Sequence, residues 1–226
     1  MYIMLKNTYI YHDVAEIVNI LPSLQEGKND FTRQTGKFFY DPWEVLPEYK
    51  GTSLEELHNK LPRAGQMRAM VMHEGDCYSE HADIDDRYHL TIDAETSYLI
   101  DLDNDKMYPT LVNNTIYLMN GGTIHTAANF GHVPRTELVV RQLLNHNKLK
   151  DPVRLNLAVN YDVFDLRYRF DIVFSPWLNR ANKNGIIDNF EPVSEKEILV
   201  DLEKEYLDEF KGLIEFSELP MELKID

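Results

Sequence analysis

The chain has 226 residues, 43% apolar and 27% charged, with a formal net charge of −15 from 38 acidic and 23 basic residues. That length suits one sizeable core, so a single domain over 1–226 is expected, and the composition excludes a disordered or fibrous chain. The acidic excess repels phosphate backbones and anionic lipid, so neither nucleic acid nor a membrane surface is an expected partner.

Residues 1–65 read as an N-terminal region of helix and loop. Asp13 and Glu16 form a capping box, followed by Ile17, Val18, Leu21 and Leu24 at helical spacing, with Pro22 ending or kinking the run. Ser53 and Glu56 form a second box, with Leu57 and Leu61 behind it and Pro62 as the stop. Between the two, FFYDPWEVLPEYKG reads as loop with short strands, and Phe38 to Tyr49 is a candidate lid or pocket wall.

Residues 66–145 read as strands. QMRAMVM, RYHLTID, TSYLIDL, TIYLM, TIHTAAN and TELVVRQLL are short runs rich in β-branched and aromatic residues, bounded by Gly, Asn, Asp and Pro. Such spacing suits a sandwich or barrel, and a jelly roll (a double-stranded β-helix) is one such solution. In 146–226, RLNLAVNYDVFDLRYRFDIVF is expected to add strand. SEKEILVDLEKEYLDEFKGLIEF is expected to be one helix packed on the sheet, boxed by Ser194 and Glu197, with Ile198, Leu199, Leu202, Tyr206, Phe210 and Leu213 on its buried face. The expected fold is mostly β with flanking helices.

One cysteine, Cys77, rules out an internal disulfide and fits a reducing compartment. MYIMLKNTYIYHD is apolar for only a few residues, so no signal peptide is expected, and no run approaches the ~20 apolar residues of a membrane helix. The expected location is cytoplasmic.

The chemistry concentrates in two segments. In HADIDDRYHLTI, His81 and Asp83 stand two apart, and residues two apart on a strand face the same way. An imidazole and a carboxylate joined by a distant second histidine make a two-His, one-carboxylate facial triad, which leaves open positions suited to non-haem iron(II). Asp85 and Asp86 are the other carboxylates within reach. In TIHTAANFGHVPRTELVV, His125 precedes Arg135 by ten positions, and Asn129 to Pro134 carries turn chemistry. Paired as a hairpin centred near Phe130, the two runs would place His125 and Arg135 on one face, a small dicarboxylate's length apart. A guanidinium grips a carboxylate through two parallel hydrogen bonds and keeps its charge. Gln66 and Arg68, just before the metal segment, are candidate ligand contacts, with core-edge or surface placement as the alternative. No Walker, dinucleotide Gly-rich or G-x-S-x-G motif is present, and His12, His58 and His73 lack metal-like spacing.

Together the two segments resemble the aspartyl/asparaginyl β-hydroxylase family of iron(II)- and 2-oxoglutarate-dependent oxygenases, over roughly residues 66–145. The resemblance places the family's metal histidines on His81 and His125, the R-x-H motif that helps hold 2-oxoglutarate on Arg87 and His89, and the 2-oxoglutarate arginine on Arg135. Asp83 stands where the fuller triad has its carboxylate; some members bind iron through two histidines alone. What this implies is a dioxygenase using Fe(II) and 2-oxoglutarate, with ascorbate as a reductant, that hydroxylates an amino-acid side chain in a peptide or protein. A free amino acid or small metabolite is the alternative substrate. A cupin-like metal protein or ligand sensor without oxygenase activity is the alternative of another class.

Overall fold

A computed structural model describes residues 4–21, 24, 27–159, 164–194, 197–219 and 221–225. The N-terminal region contains β1 (Leu5–Tyr11), helix α1 (Val14–Val18), β2 (Gly27–Asp30), β3 (Thr32–Gln34), β4 (Trp43–Val45) and helix α2 (Ser53–Lys60). Seven strands follow: β5 (Ala64–Met72), β6 (Arg87–Asp93), β7 (Ser97–Asp101), β8 (Lys106–Pro109), β9 (Thr115–Met119), β10 (His125–Asn129) and β11 (Arg135–Gln142). The C-terminal region runs β12 (Pro152–Val159), α3 (Phe164–Lys183), β13 (Ile187–Ser194), β14 (Glu197–Glu203), α4 (Leu207–Ser217) and β15 (Met221–Ile225). The protein is mostly β, with antiparallel sheets and flanking helices.

The largest sheet has the order β1-β9-β6-β11-β5-β2. Its two faces differ because alternate side chains point opposite ways. Leu138 and Val140 of β11, Met67 and Ala69 of β5, and Tyr88, Leu90 and Ile92 of β6 turn one way. They bury against Val14 and Ile17 of α1 and Leu54 and Leu57 of α2. Each Leu, Ile, Val or Met side chain among these, fully buried, contributes about 1.5–3 kcal/mol. The opposite face is polar at its centre. There Arg135, Glu137, Val139 and Arg141 of β11 lie beside Met72, Met70 and Arg68 of β5 and beside Thr91, His89 and Arg87 of β6. A three-stranded sheet, β10-β7-β8, covers that polar face. The contact between the two sheets is apolar at Met4, Met72, Leu99, Met119 and Ala127.

Both N-terminal helices form, with a shift at the second. Asp13 caps α1 by accepting from the Ala15 amide. α2 is capped by Thr52, one residue before the expected Ser53. Pro22 lies outside the described residues. Leu5–Tyr11, with no strand expected, pairs with β9 through Leu5↔Met119 and Asn7↔Tyr117.

The C-terminal region departs from expectation twice. Strand ends at Val159, and helix α3 begins at Phe164 where more strand was expected. Phe170, Phe174, Trp177, Leu178 and Ala181 recur at three- and four-residue spacing and are buried in one cluster. Helical periodicity there overrides the β preference of the aromatic residues. Conversely, the long helix expected from Ser194 is strand β14 over its first half. Ile198, Val200 and Leu202 alternate onto the buried side, and β14 is held between β12 and β13. Ser194 and Glu197 start no helix: they lie in β13 and β14, and Glu197 accepts from Asn156 Nδ2 at 2.6 Å. Among the described residues of that segment, Leu207–Ser217 is α-helix, preceded by a 3-10 turn over Lys204–Tyr206, with Phe210 buried and Trp177 of α3 donating to Glu209 at 2.8 Å. Among the described residues no helix is long and apolar enough to cross a membrane.

Candidate metal centre

After β5 the chain runs along β10. Cys77 bridges Ala128, and His81 bridges His125. The His81 amide donates to the His125 carbonyl at 3.0 Å and the His125 amide to the His81 carbonyl at 2.8 Å. Residues directly opposite in an antiparallel pair share a face, so the imidazoles meet, with ring centroids 4.6 Å apart. The chain then turns away: the Ala82 amide donates to the Asp171 carbonyl at 3.1 Å, and the Asp83 amide to the Gly121 carbonyl at 2.7 Å. That turn carries the Asp83 carboxylate to the histidines. One ligand atom each from His81, Asp83 and His125 lies within 4.8 Å of the other two.

Hydrogen bonding fixes which atoms face one another. His81 Nδ1 lies 2.8 Å from the Ser79 carbonyl and His125 Nδ1 2.7 Å from the Thr123 carbonyl. A carbonyl only accepts, so each Nδ1 donates its N–H there, and Nε2 is the nitrogen left to face the cluster. A backbone carbonyl on the far nitrogen is the usual means of orienting a ligand histidine. Burial holds His125 below its ordinary pKa, against the opposing pull of Asp83. A neutral imidazole is the form that binds metal.

Asp83 divides its two oxygens. Oδ1 accepts from Arg87 Nη2 at 2.5 Å, while Oδ2, 3.6 Å from His125 Nε2, is buried with no hydrogen-bond partner. Burial would raise this carboxyl, but the neighbouring Arg87 guanidinium, the foremost opposing influence, holds it below the usual carboxylate range. The donors fit one divalent cation of the iron(II) type: two imidazole Nε2 atoms and one carboxylate oxygen. Asp85 and Asp86 lie elsewhere. Asp85 pairs with Arg141 and Arg87. Asp86 Oδ1 accepts from Lys183 at 2.7 Å and from the Gly121 amide at 3.0 Å.

The loop bearing Asp83 packs directly on Gly121. A Cβ there would collide with the Asp85 carbonyl and stand 3.0 Å from Asp83 Cβ. Backbone cannot swing aside as a side chain does. Gly121→Ala is therefore expected to cost about 1–3 kcal/mol, as overpacking does, and to weaken metal binding; thermal unfolding and a metal titration check the two effects.

Arg135 reaches the same cavity by a different route from the one expected. β10 and β11 do not form a hairpin: β10 pairs with β7, and β11 with β5 and β6. Residues 130–134 instead carry the chain from one sheet to the other. His125 and Arg135 come together because the two sheets face each other across a cavity of about 400 Å³. His81, Asp83, Arg87, His89, His125 and Arg135 all line it.

Arg87 is already committed, holding Asp83 and Asp85. His89 is 7% exposed, and neither ring nitrogen has a hydrogen-bond partner. Burial first, then the charges of Arg135 and Arg87, hold it well below its ordinary pKa, so it is neutral.

Three cavity residues had no assigned role in the sequence or only an open one. Glu137, two residues from Arg135 on the same strand face, sits 2.7 Å from Arg135 Nη2 and accepts from Thr91 Oγ1 at 3.0 Å. Burial raises its carboxyl pKa, with Arg135 opposing. Period-two spacing from Arg135 was the signal that could have found it. Tyr78 and Arg68 are the others, and nothing in the sequence marked Tyr78. Of the nine buried side-chain polar atoms without hydrogen-bond partners among the described residues, seven belong to cavity residues: Arg68, Tyr78, Asp83, His89 (both nitrogens), Arg135 and Glu137. The Phe38–Tyr49 segment is absent from this cavity's lining. Its Phe39 packs on Phe190 instead. Cys77 is exposed.

Fold and site thus define a mostly β protein that turns two imidazoles, a carboxylate and several arginines into one cavity. No family model matches the chain, and no curated protein matches it. A crystal structure of CapF with the inhibitor 3-isopropenyl-tropolone aligns with 50% of this chain at 11% identity and a TM-score of 0.31. The match spans 31% of that chain's own length, and a likeness of that size carries no argument.

Proposed function

We propose that this protein is an iron(II)- and 2-oxoglutarate-dependent oxygenase of the aspartyl/asparaginyl β-hydroxylase type, built on a jelly-roll core. One observation carries it: the His81, Asp83 and His125 cluster opens onto the cavity in which the unpartnered buried polar atoms are concentrated. Buried polar groups without partners are costly, and their clustering around one cavity marks a ligand site. His81, Asp83 and His125 would hold the metal. Arg135, whose Nε has no partner, would hold the distal carboxylate of 2-oxoglutarate. Arg87 would fix Asp83 in place, and neutral His89 would offer one N–H donor and one lone pair to the bound co-substrate. Dioxygen would be the oxidant: with iron(II) bound, its four-electron reduction would be matched by oxidation of 2-oxoglutarate to succinate and carbon dioxide and of the substrate C–H to C–OH, one oxygen atom going to each product; the protein would supply orientation and exclude water. The substrate is an amino-acid side chain in a peptide or protein, with a free amino acid or small metabolite as the alternative.

A second reading, a metal protein without oxygenase activity, draws on the Arg135–Glu137 pair, in which the guanidinium already has a carboxylate beside it. Conversion of 2-oxoglutarate to succinate, measured with iron(II) and ascorbate and with aspartyl, asparaginyl and free amino-acid substrates, separates the two. Substrate-stimulated succinate is expected. Metal-loaded protein that binds no 2-oxoglutarate would leave the second reading standing.

A further inference from the structure

Four arginines reach the polar face of the large sheet: Arg68, Arg87, Arg135 and Arg141. Three have carboxylates. Arg87 holds Asp83 and Asp85, Arg141 holds Asp85, and Arg135 sits beside Glu137. Arg68 has none among the described residues. Its one recorded acceptor is the neutral amide oxygen of Gln66 on its own strand, 3.2 Å from Nη1, and its Nε has no partner. It is nevertheless 7% exposed and lines the cavity. Burial, then the like charges of Arg87 and Arg141, press its pKa down to about 10, which leaves it cationic at neutral pH. Asp83 and Asp85 pull the other way, but neither is in an ion pair with Arg68; a buried cation with no direct anionic partner is unfavourable unless something supplies one.

The facing wall offers a further donor, within the field of Arg135 first and of Arg68 second. Tyr78, tied to β10 by the hydrogen bond its backbone amide donates to the Ala127 carbonyl at 3.0 Å, has a buried hydroxyl with no partner, and it lines the same cavity. Burial raises its phenol pKa, so it stays a donor. Arg68 stands opposite Val139, and Arg135 is four residues further along β11. That is about 13 Å of strand, so the two guanidinium groups are rooted far enough apart to serve two different anions.

Resting on the oxygenase reading, which gives Arg135 to the co-substrate, we propose that Arg68 and Tyr78 form a second anion subsite that binds a carboxylate of the substrate and selects acids over amides. The carboxylate belongs to a free amino acid or to an acidic side chain within a peptide; both present the same group to a guanidinium and a phenol.

The test is binding, not turnover. Protein loaded with metal and saturating 2-oxoglutarate under anaerobic conditions is titrated with four probes. L-Aspartate carries both carboxylates, L-asparagine only the α-carboxylate, acetyl-aspartate N-methylamide only the side-chain carboxylate, and acetyl-asparagine N-methylamide neither. At least one carboxylate is expected to tighten binding by about tenfold or more over the neutral probe, as charged hydrogen bonds do, and which probe gains identifies its source. Arg68→Gln and Arg68→Met should erase that difference while leaving 2-oxoglutarate affinity and the thermal midpoint unchanged or the midpoint raised. Equal binding of all four probes by the wild type would overturn the subsite. So would weaker 2-oxoglutarate binding in the Arg68 variants, which would place Arg68 in the co-substrate site. The same titrations run without 2-oxoglutarate keep the two ideas apart: if the wild type binds no 2-oxoglutarate yet prefers acids through Arg68, the oxygenase reading fails and the anion subsite stands.

Discussion

Replacing His125 with alanine is expected to lower metal affinity by more than about 100-fold, the upper end of what losing a supporting group alone costs a metal site. His125 offers Nε2 to the cluster because its Nδ1 proton is held by the Thr123 carbonyl. Its removal leaves His81 and the free Asp83 oxygen, two donors where the geometry provides three. The backbone pairing of His125 with His81 does not use the imidazole, so the strand arrangement should persist, with a stability loss of about 1 kcal/mol for the unsatisfied Thr123 carbonyl. Chelator competition reads the affinity, and thermal unfolding without metal reads the fold. Wild-type metal affinity in His125→Ala would move the metal elsewhere.

Arg135→Ala should behave differently. The 2-oxoglutarate concentration needed for half-saturation should rise about 10- to 100-fold, the range for losing hydrogen bonds to a charged partner, with metal affinity unchanged. Arg135 makes no contact with His81, Asp83 or His125 in the hydrogen-bond and ion-pair network; its recorded partner is Glu137. Removing the guanidinium also removes the main influence that opposes the rise of the Glu137 carboxyl pKa, leaving the Thr91 hydrogen bond. Glu137 should then take up a proton, leaving a neutral acid rather than a buried unpaired charge, so the variant should fold. Titrations with 2-oxoglutarate and with metal, run on the same preparation, give both numbers. Loss of metal together with loss of 2-oxoglutarate would assign Arg135 to the metal centre's own support.

What the sequence disclosed follows from how locally each feature is encoded. The six runs from Gln66 to Leu144 were legible as strands because β-branched residues and turn punctuation are local signals. The grouping of His81, Asp83 and His125 was suggested by spacing, but what brings them together is long-range: the His81–His125 bridge and the close approach of Gly121 to the Asp83 loop. The same gap explains the misread hairpin. Turn residues between His125 and Arg135 announce a reversal without saying whether the chain pairs with itself or passes to another sheet. β14 and α3 failed for a different reason. Ile198, Leu199, Val200 and Leu202 satisfy both a period of 2 and one of 3.6, and only the neighbours β12 and β13 decide. Glu137 in TELVV reads as any polar residue on a half-exposed strand until the second sheet covers that face.

The most direct test of the central claim is anaerobic addition of 2-oxoglutarate to the iron(II)-loaded protein, followed by absorption spectroscopy. The metal cluster and Arg135 acting on one bound co-substrate predict a new visible charge-transfer band in the wild type, absent in His125→Ala and shifted to higher 2-oxoglutarate concentration in Arg135→Ala. An unchanged spectrum from wild-type protein with iron(II) demonstrably bound would contradict it.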